Sequence, residues 1–498
     1  MAHSLRDYQI DAIAKVRESL SKNRRVILQM PTGAGKTATA AAIIQSALGK
    51  GKRVIFTVPS LSLITQTIES FQRDGITDIG VMQGQHILTD ADASVQICSV
   101  QTLARRFIPW ADLVIVDEAH VVFDLYKRWL NNSDWAKVPF IGLSATPWAA
   151  GLGKLWGGLV IGATIQQLID DKYLCDFRCF APTKPDLEGV KTVAGDYEIT
   201  GLEKAMNQKK ITADIVSTWI EKGEGRPTLC FAVNRAHAAA ICDEFNAAGV
   251  PAAYVDGEYG LDDRDDLVQA FRNGDFKVVC NVGVMTTGVD LPFVSALIIA
   301  RPTKSEMLYV QIVGRGLRTF EGKTDCLILD HSDTTARLGF VTDIIYDELD
   351  DGKRYKAKRR EREDNQPLPK ECPSCSYLRP PRIKTCPNCG FTPQPKIGVF
   401  TEDGELTEIT GRGANKKQKG KVDLTTAERE MFYRELLGFA EERNFKQGWA
   451  YHNYKRRFGI GPANTFSKTP VYASDKTRRW LKHQWIKDRA IKEKLGLR

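Results

Sequence analysis

The chain has 498 residues, a length that predicts about three domains of ordinary size rather than one core. Hydrophobic residues make up 43% of the composition, and no apolar run approaches the roughly 18 residues of a membrane-spanning helix. These features exclude a membrane-spanning chain. Residues 1–350 carry a net charge of −7, from 36 Lys and Arg against 43 Asp and Glu, whereas residues 351–498 carry +16, from 34 against 18. The basic second part favours a nucleic-acid partner, although a solvated tail or an anionic surface gives the same pattern.

The N-terminal segment MAHSLRDYQIDAIAKV lacks the basic, apolar and small-residue parts of a secretory signal. We therefore expect the protein in the cytoplasm. Seven of the eleven cysteines are scattered along the chain, several of them inside apolar runs, and we expect these to be buried, reduced thiols. They are Cys98, Cys175, Cys179, Cys230, Cys242, Cys280 and Cys326.

Short apolar runs alternate with helix-forming segments between Arg24 and Leu143. This rhythm is typical of a buried parallel sheet with crossover helices. A second series of the same kind runs from TLCFAV to DCLILD. We predict an α/β fold with two parallel-sheet domains, residues 1–175 and 176–350.

A glycine-containing loop, MPTGAGKT, follows the apolar run RVILQM and precedes a helix-forming segment. Strand, loop and helix N-terminus together bind phosphate, because backbone N–H groups and the helix dipole face the anion. We predict that Lys36 neutralises the β- and γ-phosphate oxygens of ATP and that the Thr37 hydroxyl ligates Mg²⁺. The other predicted loop residues are Pro31, Thr32, Gly33, Ala34 and Gly35.

An acidic pair, Asp117 and Glu118, ends the apolar run DLVIVD about 80 residues after Lys36. Such a pair is often a helix cap or a solvated turn. In a chain with a phosphate loop it instead supplies the second half of an ATP site. We predict that Asp117 holds the Mg²⁺ shell and that Glu118 orients or deprotonates the attacking water.

These motifs, in this order, resemble those of the superfamily 2 helicases over about residues 1–335. LRDYQ resembles the family's Q motif, TVPSLSLITQ motif Ia, SVQTL motif Ic, SATP motif III, VGVMTTGVDLP motif V and QIVGRGLR motif VI. The resemblance implies tandem RecA-like domains, with ATP between them and ATP hydrolysis as the activity. It also implies movement on nucleic acid.

The same resemblance implies roles for residues outside the phosphate loop. Gln9 would pair with the adenine edge with help from Arg6, and Gly288 and Asp290 would lie near the ribose. The positions that match coupling residues are His120, Ser144 and Thr146, and those that match backbone contacts to nucleic acid are Pro59, Ser60, Gln101, Thr102, Thr286 and Thr287.

Motif VI contributes two arginines from the domain that faces the phosphate loop. Cleavage spreads negative charge over the γ-phosphoryl group, and a guanidinium stabilises that charge. By resemblance, Arg315 and Arg318 play this part and Gln311 joins them at the catalytic centre. Either arginine fits the role of principal finger.

Two CxxC knuckles, formed by Cys372, Cys375, Cys386 and Cys389, are separated by ten residues. Four thiolates at this spacing form a closed tetrahedral Zn²⁺ site, which is structural because no coordination position is open. Redox-active pairs or an iron cluster are the alternatives. We predict a charged linker and zinc ribbon over residues 351–395.

A polar, glycine- and lysine-rich segment over residues 396–424 predicts a flexible linker, and residues 425–498 predict a small basic helical domain. Thr425 with Glu428 fits a capping box. Aromatic and cationic residues then alternate, a pattern that suits both base stacking on nucleic acid and an ordinary core with a charged surface. The aromatic residues are Trp449, Tyr451, Tyr454, Phe458, Trp480 and Trp485.

The order of helicase core, cysteine knuckles and small C-terminal domain resembles the RadD-like branch of superfamily 2, which comprises bacterial DNA-repair helicases and phage-encoded relatives. This implies single-stranded, forked or branched DNA as the substrate, a role in repair, recombination or phage replication, and single-strand-binding protein as a partner. We predict an ATP-dependent DNA helicase or translocase. Two alternatives remain: an RNA helicase, and an ATPase switch that clamps DNA and recruits partners without unwinding.

Overall fold

The computed structural model divides into two compact units, Met1–Lys396 and Ile397–Arg498. Within the described residues, no helix is both long and apolar enough to cross a bilayer. The structure describes residues 4–182, 185–193, 195–207, 209–285, 290–352, 368–393, 425–446, 448–458, 460–474, 477–478, 480–481 and 484.

The first unit opens with a parallel sheet of seven strands. Its central strands are buried on both faces, which explains why they appear in the sequence as continuous apolar runs. The strands are β1 Arg25–Gln29, β2 Val54–Val58, β3 Ile79–Met82, β4 Val95–Ser99, β5 Leu113–Val116, β6 Phe140–Ser144 and β7 Gly158–Ile161, in the spatial order β3-β4-β2-β5-β6-β1-β7.

A second parallel sheet of six strands follows, so the predicted α/β architecture with two sheets is confirmed. A short antiparallel hairpin is inserted after its first strand. The strands are β8 Asp176–Phe180, β9 Thr192–Val193 and β10 Asp196–Tyr197 in the hairpin, β11 Thr228–Phe231, β12 Ala252–Val255, β13 Val278–Asn281, β14 Ala296–Ile299 and β15 Asp325–Asp330, and the sheet order is β12-β13-β11-β14-β15-β8.

Helices cover the faces of both sheets, as expected where crossover connections join parallel strands. In the first unit they are α1 Asp7–Lys22, α2 Lys36–Leu48, α3 Ser62–Arg73, α4 Val100–Leu103, α5 Asp124–Leu130, α6 Ile165–Asp170, α7 Ile199–Met206, α8 Lys209–Lys222, α9 Arg235–Ala247, α10 Leu261–Asn273, α11 Glu306–Gly316 and α12 Thr334–Leu338.

Residues 339–352, which we call the strap, leave the second sheet and return to the first. The Tyr346 ring lies 5.1 Å from the Trp148 ring, and the Gly153 amide donates to the Asp350 carbonyl at 2.8 Å. The Tyr346 hydroxyl also donates to the buried Glu306 carboxylate. The strap therefore links the two sheets by aromatic packing and hydrogen bonds.

The cysteine knuckles lie beside a two-stranded antiparallel ribbon, β16 Lys370–Glu371 and β17 Leu378–Arg379. This ribbon packs on the end of β8. The Ala181 amide donates to the Ser376 carbonyl at 2.9 Å, and the Phe180 and Tyr377 rings lie 5.4 Å apart. These contacts place the ribbon against the second sheet.

The second unit contains two described helices, α13 Thr426–Glu442 and α14 Trp449–Phe458. The predicted capping box is confirmed, because the Glu428 amide donates to Thr425 Oγ1 at 3.3 Å and the Thr425 amide donates to Glu428 Oε2 at 2.8 Å. One apolar face of α13 is buried, and it joins a mainly aromatic core. That core comprises Phe432, Leu436, Phe439, Ala450, Tyr454, Phe466, Ala473 and Leu481.

Candidate active site and metal centre

The glycine loop connects β1 to α2 at the carboxyl edge of the first sheet. Gly33 and Gly35 adopt φ values of 85° and 76°, which non-glycine residues rarely reach. Lys36, the first residue of α2, lies with its Nζ 3.5 Å from the Met30 carbonyl, and desolvation lowers its pKa. The loop therefore has the curvature and the cation that an anion site requires.

Asp117 and Glu118 follow β5 directly. Desolvation raises the pKa of the Asp117 carboxyl to about 7, and the neighbouring Glu118 charge adds to this shift. Glu118 has a φ of 47°, an uncommon conformation for a non-glycine residue. Two acidic groups held this close favour a bound cation, and the oxygen donors of Asp117 and Thr37 are the ligand type that Mg²⁺ prefers.

A hydrogen-bond network joins the acidic pair to the second sheet. His120 Nδ1 lies 2.9 Å from Ser144 Oγ and 3.3 Å from Glu118 Oε2. On the other side of the ring, His120 Nε2 lies 3.2 Å from Gln311 Nε2, which also reaches Thr146 Oγ1 at 3.4 Å. Two of the coupling residues predicted in the first domain, His120 and Thr146, thus contact the motif VI glutamine on α11, and Ser144 joins them through His120.

Both motif VI arginines lie in the cleft between the sheets. Burial lowers the pKa of Arg315 to about 10, opposed by the Glu118 charge. Arg318 lies against the glycine loop, since a Cβ added to Gly33 would meet its Cγ at 3.1 Å. Its Nη1 pairs with the Asp290 carboxylate, while its Nε makes no hydrogen bond within the described residues. The structure thus brings phosphate loop and arginines together.

The predicted adenine-reading residues contact the loop as well. Gln9 Nε2 donates to the Ala34 carbonyl at 3.1 Å, and its Oε1 accepts from the Arg6 amide at 2.9 Å. Two tyrosines that the sequence did not single out complete this corner: Tyr8 donates to the Ala34 carbonyl at 2.8 Å, and the Tyr173 ring lies 4.4 Å below the Arg6 guanidinium. Tyr8 lies inside the Q motif, which was the signal available for finding it.

Four candidate nucleic-acid contacts meet at one edge of the first sheet. Pro59 and Ser60 follow β2, and Gln101 and Thr102 lie just after β4, its parallel neighbour. Gln101 Nε2 donates to the Pro59 carbonyl at 2.8 Å. Their partners in the resemblance, Thr286 and Thr287, and the ribose candidate Gly288 lie outside the described residues.

Lys323 is a residue of this site that motif matching missed. Its Nζ donates to the carbonyls of Val294, Gly316 and Arg318 at 2.5, 2.6 and 2.7 Å, and a fourth carbonyl, that of Pro292, lies at 3.3 Å. One ammonium thereby ties the end of α11 to the segment that precedes β14. Because Arg318 is among its partners, Lys323 fixes the backbone that carries an arginine of the cleft.

The four clustered cysteines converge in the ribbon, with all their sulfur atoms within 4.8 Å of one another. Cys372 Sγ lies 3.7 Å from Cys389 Sγ, and Cys375 Sγ lies 3.8 Å from Cys386 Sγ. Two Zn–S bonds of about 2.3 Å at the tetrahedral angle place sulfur atoms about 3.8 Å apart. The set therefore fits one Zn²⁺, and the sulfurs are too far apart for disulfides.

The two knuckles share one backbone design. In each, the residue after the second cysteine donates its amide to the carbonyl of the first, at 2.9 Å for Ser376 to Cys372 and 2.8 Å for Gly390 to Cys386. Ser376 and Gly390 both have positive φ, 58° and 71°. In the sequence, the glycine at position 390 indicates this turn, whereas Ser376 gives no such indication. The seven scattered cysteines are all buried and free, as predicted.

Two family descriptions match the chain. Residues 2–149 match "Type III restriction enzyme, res subunit", and residues 207–320 match "Helicase conserved C-terminal domain". The first match contains the glycine loop, the acidic pair and the Ser144–Thr146 segment. The second contains α11 with both arginines.

The named relatives include helicases and a phage protein. A Saccharomyces cerevisiae protein that carries the helicase name IRC3 is 32% identical over 66% of this chain and 51% of its own length. The "51.5 kDa protein" of a Lactococcus phage is 28% identical over 71% of this chain and 75% of that protein. The "ATP-dependent DNA helicase uvsW" of Enterobacteria phage T4 is 25% identical over 66% and 68%. The chain thus spans about half the length of the yeast relative.

Solved structures share the fold. A fragment assigned to an HsdR subunit of a type I restriction enzyme from Vibrio vulnificus matches with a TM-score of 0.55 at 21% identity, over 71% of this chain and 68% of that one. The type ISP restriction-modification enzyme LlaBIII bound to DNA matches with a TM-score of 0.50 at 19% identity, over 66% and 28%. Both likenesses cover most of the first unit's length and support its two-sheet architecture.

Proposed function

Because the chain belongs to the superfamily 2 helicases, we propose that it is an ATP-dependent DNA helicase or translocase, which couples ATP hydrolysis to movement on DNA or to its unwinding. The family implies ATP hydrolysis. The observation that carries the proposal is the contact between His120 and Gln311 at 3.2 Å. It joins the acidic pair of one domain to the arginine helix of the other.

In this proposal the cleft residues have separate roles in ATP hydrolysis. The loop amides and Lys36 hold the β- and γ-phosphates, and Glu118 accepts a proton from, or orients, the attacking water. Arg315 and Arg318 offset the charge that develops on the γ-phosphoryl oxygens. Mg²⁺, which Thr37 and Asp117 suit as oxygen ligands, supplies additional neutralisation of phosphate charge when bound.

Hydrolysis in such a cleft depends on closure, because the phosphate loop and the arginines belong to different sheets. Loss of the γ-phosphate removes the charge that attracts the arginines, so the sheets separate after each turnover. If Pro59, Ser60, Gln101 and Thr102 hold the sugar–phosphate backbone on one side, opening moves the chain along it. Contacts of this kind carry no base code, which suits a motor.

DNA is the preferred substrate for two reasons. The matching structure of LlaBIII is bound to DNA, and the T4 relative is named a DNA helicase. The order of core, knuckles and C-terminal domain supports the RadD-like branch, and with it work on forked or branched DNA in repair, recombination or phage replication. Single-strand-binding protein is the partner that this branch implies.

A panel of nucleic acids tests this function. We expect ATPase stimulation by single-stranded and forked DNA, and strand displacement on forked DNA, with weaker effects of the matching RNAs. Stimulation by RNA alone would identify an RNA helicase. DNA-stimulated ATPase without displacement of a strand or of a triplex-forming third strand would identify a clamping switch.

We also propose that the ribbon cysteines hold one structural Zn²⁺. The double variant Cys386→Ser with Cys389→Ser should lose about one Zn²⁺ per chain, because two of four ligands are gone. Metal content is measured by atomic spectroscopy on dialysed protein. Cys242→Ala, which removes a thiol outside the cluster, is the matched control and should retain the wild-type zinc content. Equal zinc in the double variant and the control would refute the site.

A further inference from the structure

The loop between the two knuckles, Pro380–Thr385, has an unusual backbone, and we call it the ribbon loop. Arg382 at its tip adopts a φ of 72°. This left-handed conformation is unfavourable for a residue with a Cβ, whereas glycine adopts it freely. Such a residue persists only where the surrounding structure imposes its conformation, often at functional positions.

Neighbouring contacts impose that conformation here. The buried Arg379 side chain donates from Nη1 to the Lys384 carbonyl at 2.6 Å, which closes the base of the loop. The Ile383 amide donates to the Pro380 carbonyl at 3.3 Å, and two consecutive prolines restrict the entry. The ribbon loop is therefore a rigid projection.

The ribbon loop is positively charged and exposed to solvent. Arg382, Ile383 and Lys384 are all exposed, and 46% of Ile383 is accessible. No acidic residue occurs between Cys372 and Pro393. Within the part of the chain that the structure describes, no carboxylate pairs with Arg382 or Lys384. An anionic partner would thus meet two free cations on a preformed turn.

The ribbon loop belongs to a module that lies at the same edge of the second sheet as motif V. The ribbon packs on Phe180 and Ala181, at the carboxyl end of β8, and motif V begins at the carboxyl end of β13. All strands of this sheet are parallel, and β8 lies four strand steps from β13. At about 4.8 Å per step, the carboxyl ends of these two strands are roughly 19 Å apart across the sheet.

We propose that the ribbon loop binds the sugar–phosphate backbone of the nucleic acid on which the motor acts, with Arg382 and Lys384 as phosphate contacts. The proposal rests on the nucleic-acid function proposed above. The roughly 19 Å between the ends of β8 and β13 corresponds to about five or six phosphates of one duplex strand, at about 3.4 Å of helix axis each. The ribbon loop thus extends the contacted length beyond the helicase motifs and reads no base sequence.

The salt dependence of binding measures these contacts directly. Each phosphate neutralised by a cation changes the slope of log Kobs against log salt by about 0.9 for duplex and about 0.7 for single-stranded DNA. The double variant Arg382→Ala with Lys384→Ala should flatten the slope by about 1.8 if the loop contacts duplex, or by about 1.4 if it contacts a single strand. Fluorescence anisotropy on forked DNA across a salt series gives these slopes.

A pair of substitutions at Arg382 separates charge from backbone. Arg382→Gly removes the cation and suits the left-handed backbone, so the melting temperature should equal or exceed that of the wild type and the zinc content should be unchanged. Its salt slope should nevertheless fall by about 0.7 to 0.9. Arg382→Lys should keep the wild-type slope. A merely structural arginine would give the opposite outcome, with wild-type binding in Arg382→Gly.

The matched control for the double variant removes the same charge elsewhere. Lys50→Ala with Lys137→Ala changes exposed lysines just before β2 and β6, at the opposite edge of the first sheet. In the absence of nucleic acid, all of these variants should hydrolyse ATP at the wild-type rate. Wild-type protein that does not bind DNA or RNA would refute the proposed function. Wild-type binding with equal slopes for the control and the Arg382, Lys384 variant would refute the ribbon-loop contact alone.

Discussion

The cleft between the sheets and the core of the C-terminal unit use the same residue types in opposite ways. In the cleft, Arg318 faces a carboxylate and a glycine loop. In the C-terminal unit, the Arg457 guanidinium lies 4.0 Å from the Phe432 ring centre and 5.5 Å from that of Phe458. Arg318 is thus directed at an anion, whereas Arg457 covers aromatic faces.

The difference shows what a sequence motif adds to residue composition. The motif VI arginines were assigned through a pattern whose other members are hydrogen-bond partners across the cleft. The tail pattern of aromatic and cationic residues fits a core as well as a base-stacking surface. In the described structure Tyr454 is 1% exposed and belongs to the core, while Tyr451 is 42% exposed. Trp485 lies outside the described residues.

The largest effect should come from the cleft. Lys36→Ala removes the cation that faces the phosphates, and we expect a loss of about 10² to 10³-fold or more in ATP turnover with DNA binding still detectable. Steady-state phosphate release measures turnover. Lys50→Ala, two residues past the far end of the same helix, is the control and should turn over ATP normally. Full activity in Lys36→Ala would overturn the site.

A change in the aromatic core should have a large effect on the stability of the C-terminal unit and no effect on ATP hydrolysis. Phe432→Ala should destabilise the C-terminal unit by about 3–5 kcal/mol, since a buried ring leaves a cavity. Limited proteolysis across a urea series measures this. ATPase without nucleic acid should not change, because the cleft residues lie in the first unit. Tyr451→Ala, at an exposed ring, should cost less than about 1 kcal/mol. Equal losses in the two variants would contradict the assigned core.

A smaller effect should identify Lys323 as a positioning residue. Lys323→Met removes the ammonium that holds the Arg318 backbone, and we expect kcat to fall about 10-fold with little change in the KM for ATP, because a small misplacement of a catalytic group is costly. Lys323→Arg should recover part of kcat. A general loss of folding would instead lower the melting temperature and the active fraction, with kcat per active site unchanged.

The smallest effect concerns the start of α13. Thr425→Ala removes the capping hydroxyl and should cost about 1 kcal/mol in the stability of the C-terminal unit. Thr426→Ala, one residue later and also exposed, should be neutral. A urea series on the full chain, with proteolysis of the C-terminal unit as the readout of its unfolding, distinguishes the two variants. Equal stability of both variants would argue against the cap.

Much of the first unit was predictable because its strands are buried on both faces. RVILQM, RVIFTV and DLVIVD correspond to β1, β2 and β5, whose residues are almost wholly buried. The phosphate loop was predictable because glycines with positive φ are required there. Roles that depend on nucleotide or nucleic acid, such as those of Gln9 and Asp290, remain predictions.

Other features could not be predicted because they arise from contacts between distant segments. Tyr173 follows the last strand of the first sheet yet stacks under Arg6. Lys323 is five residues past motif VI and looks like any surface lysine until four carbonyls converge on it. Neither residue belongs to a periodic pattern, and only the tertiary fold determines their partners.

The strap has a kinetic consequence. Separation of the sheets would expose the Trp148 and Tyr346 rings, which pack 5.1 Å apart, and each such ring costs about 1.5–3 kcal/mol to return to water. Since 1.4 kcal/mol changes a rate by about tenfold, we expect this contact to slow cleft reopening by about tenfold or more. Where reopening limits turnover, acid-quenched samples should show a burst of bound ADP and phosphate in the first turnover, and Tyr346→Ala should accelerate the steady state that follows.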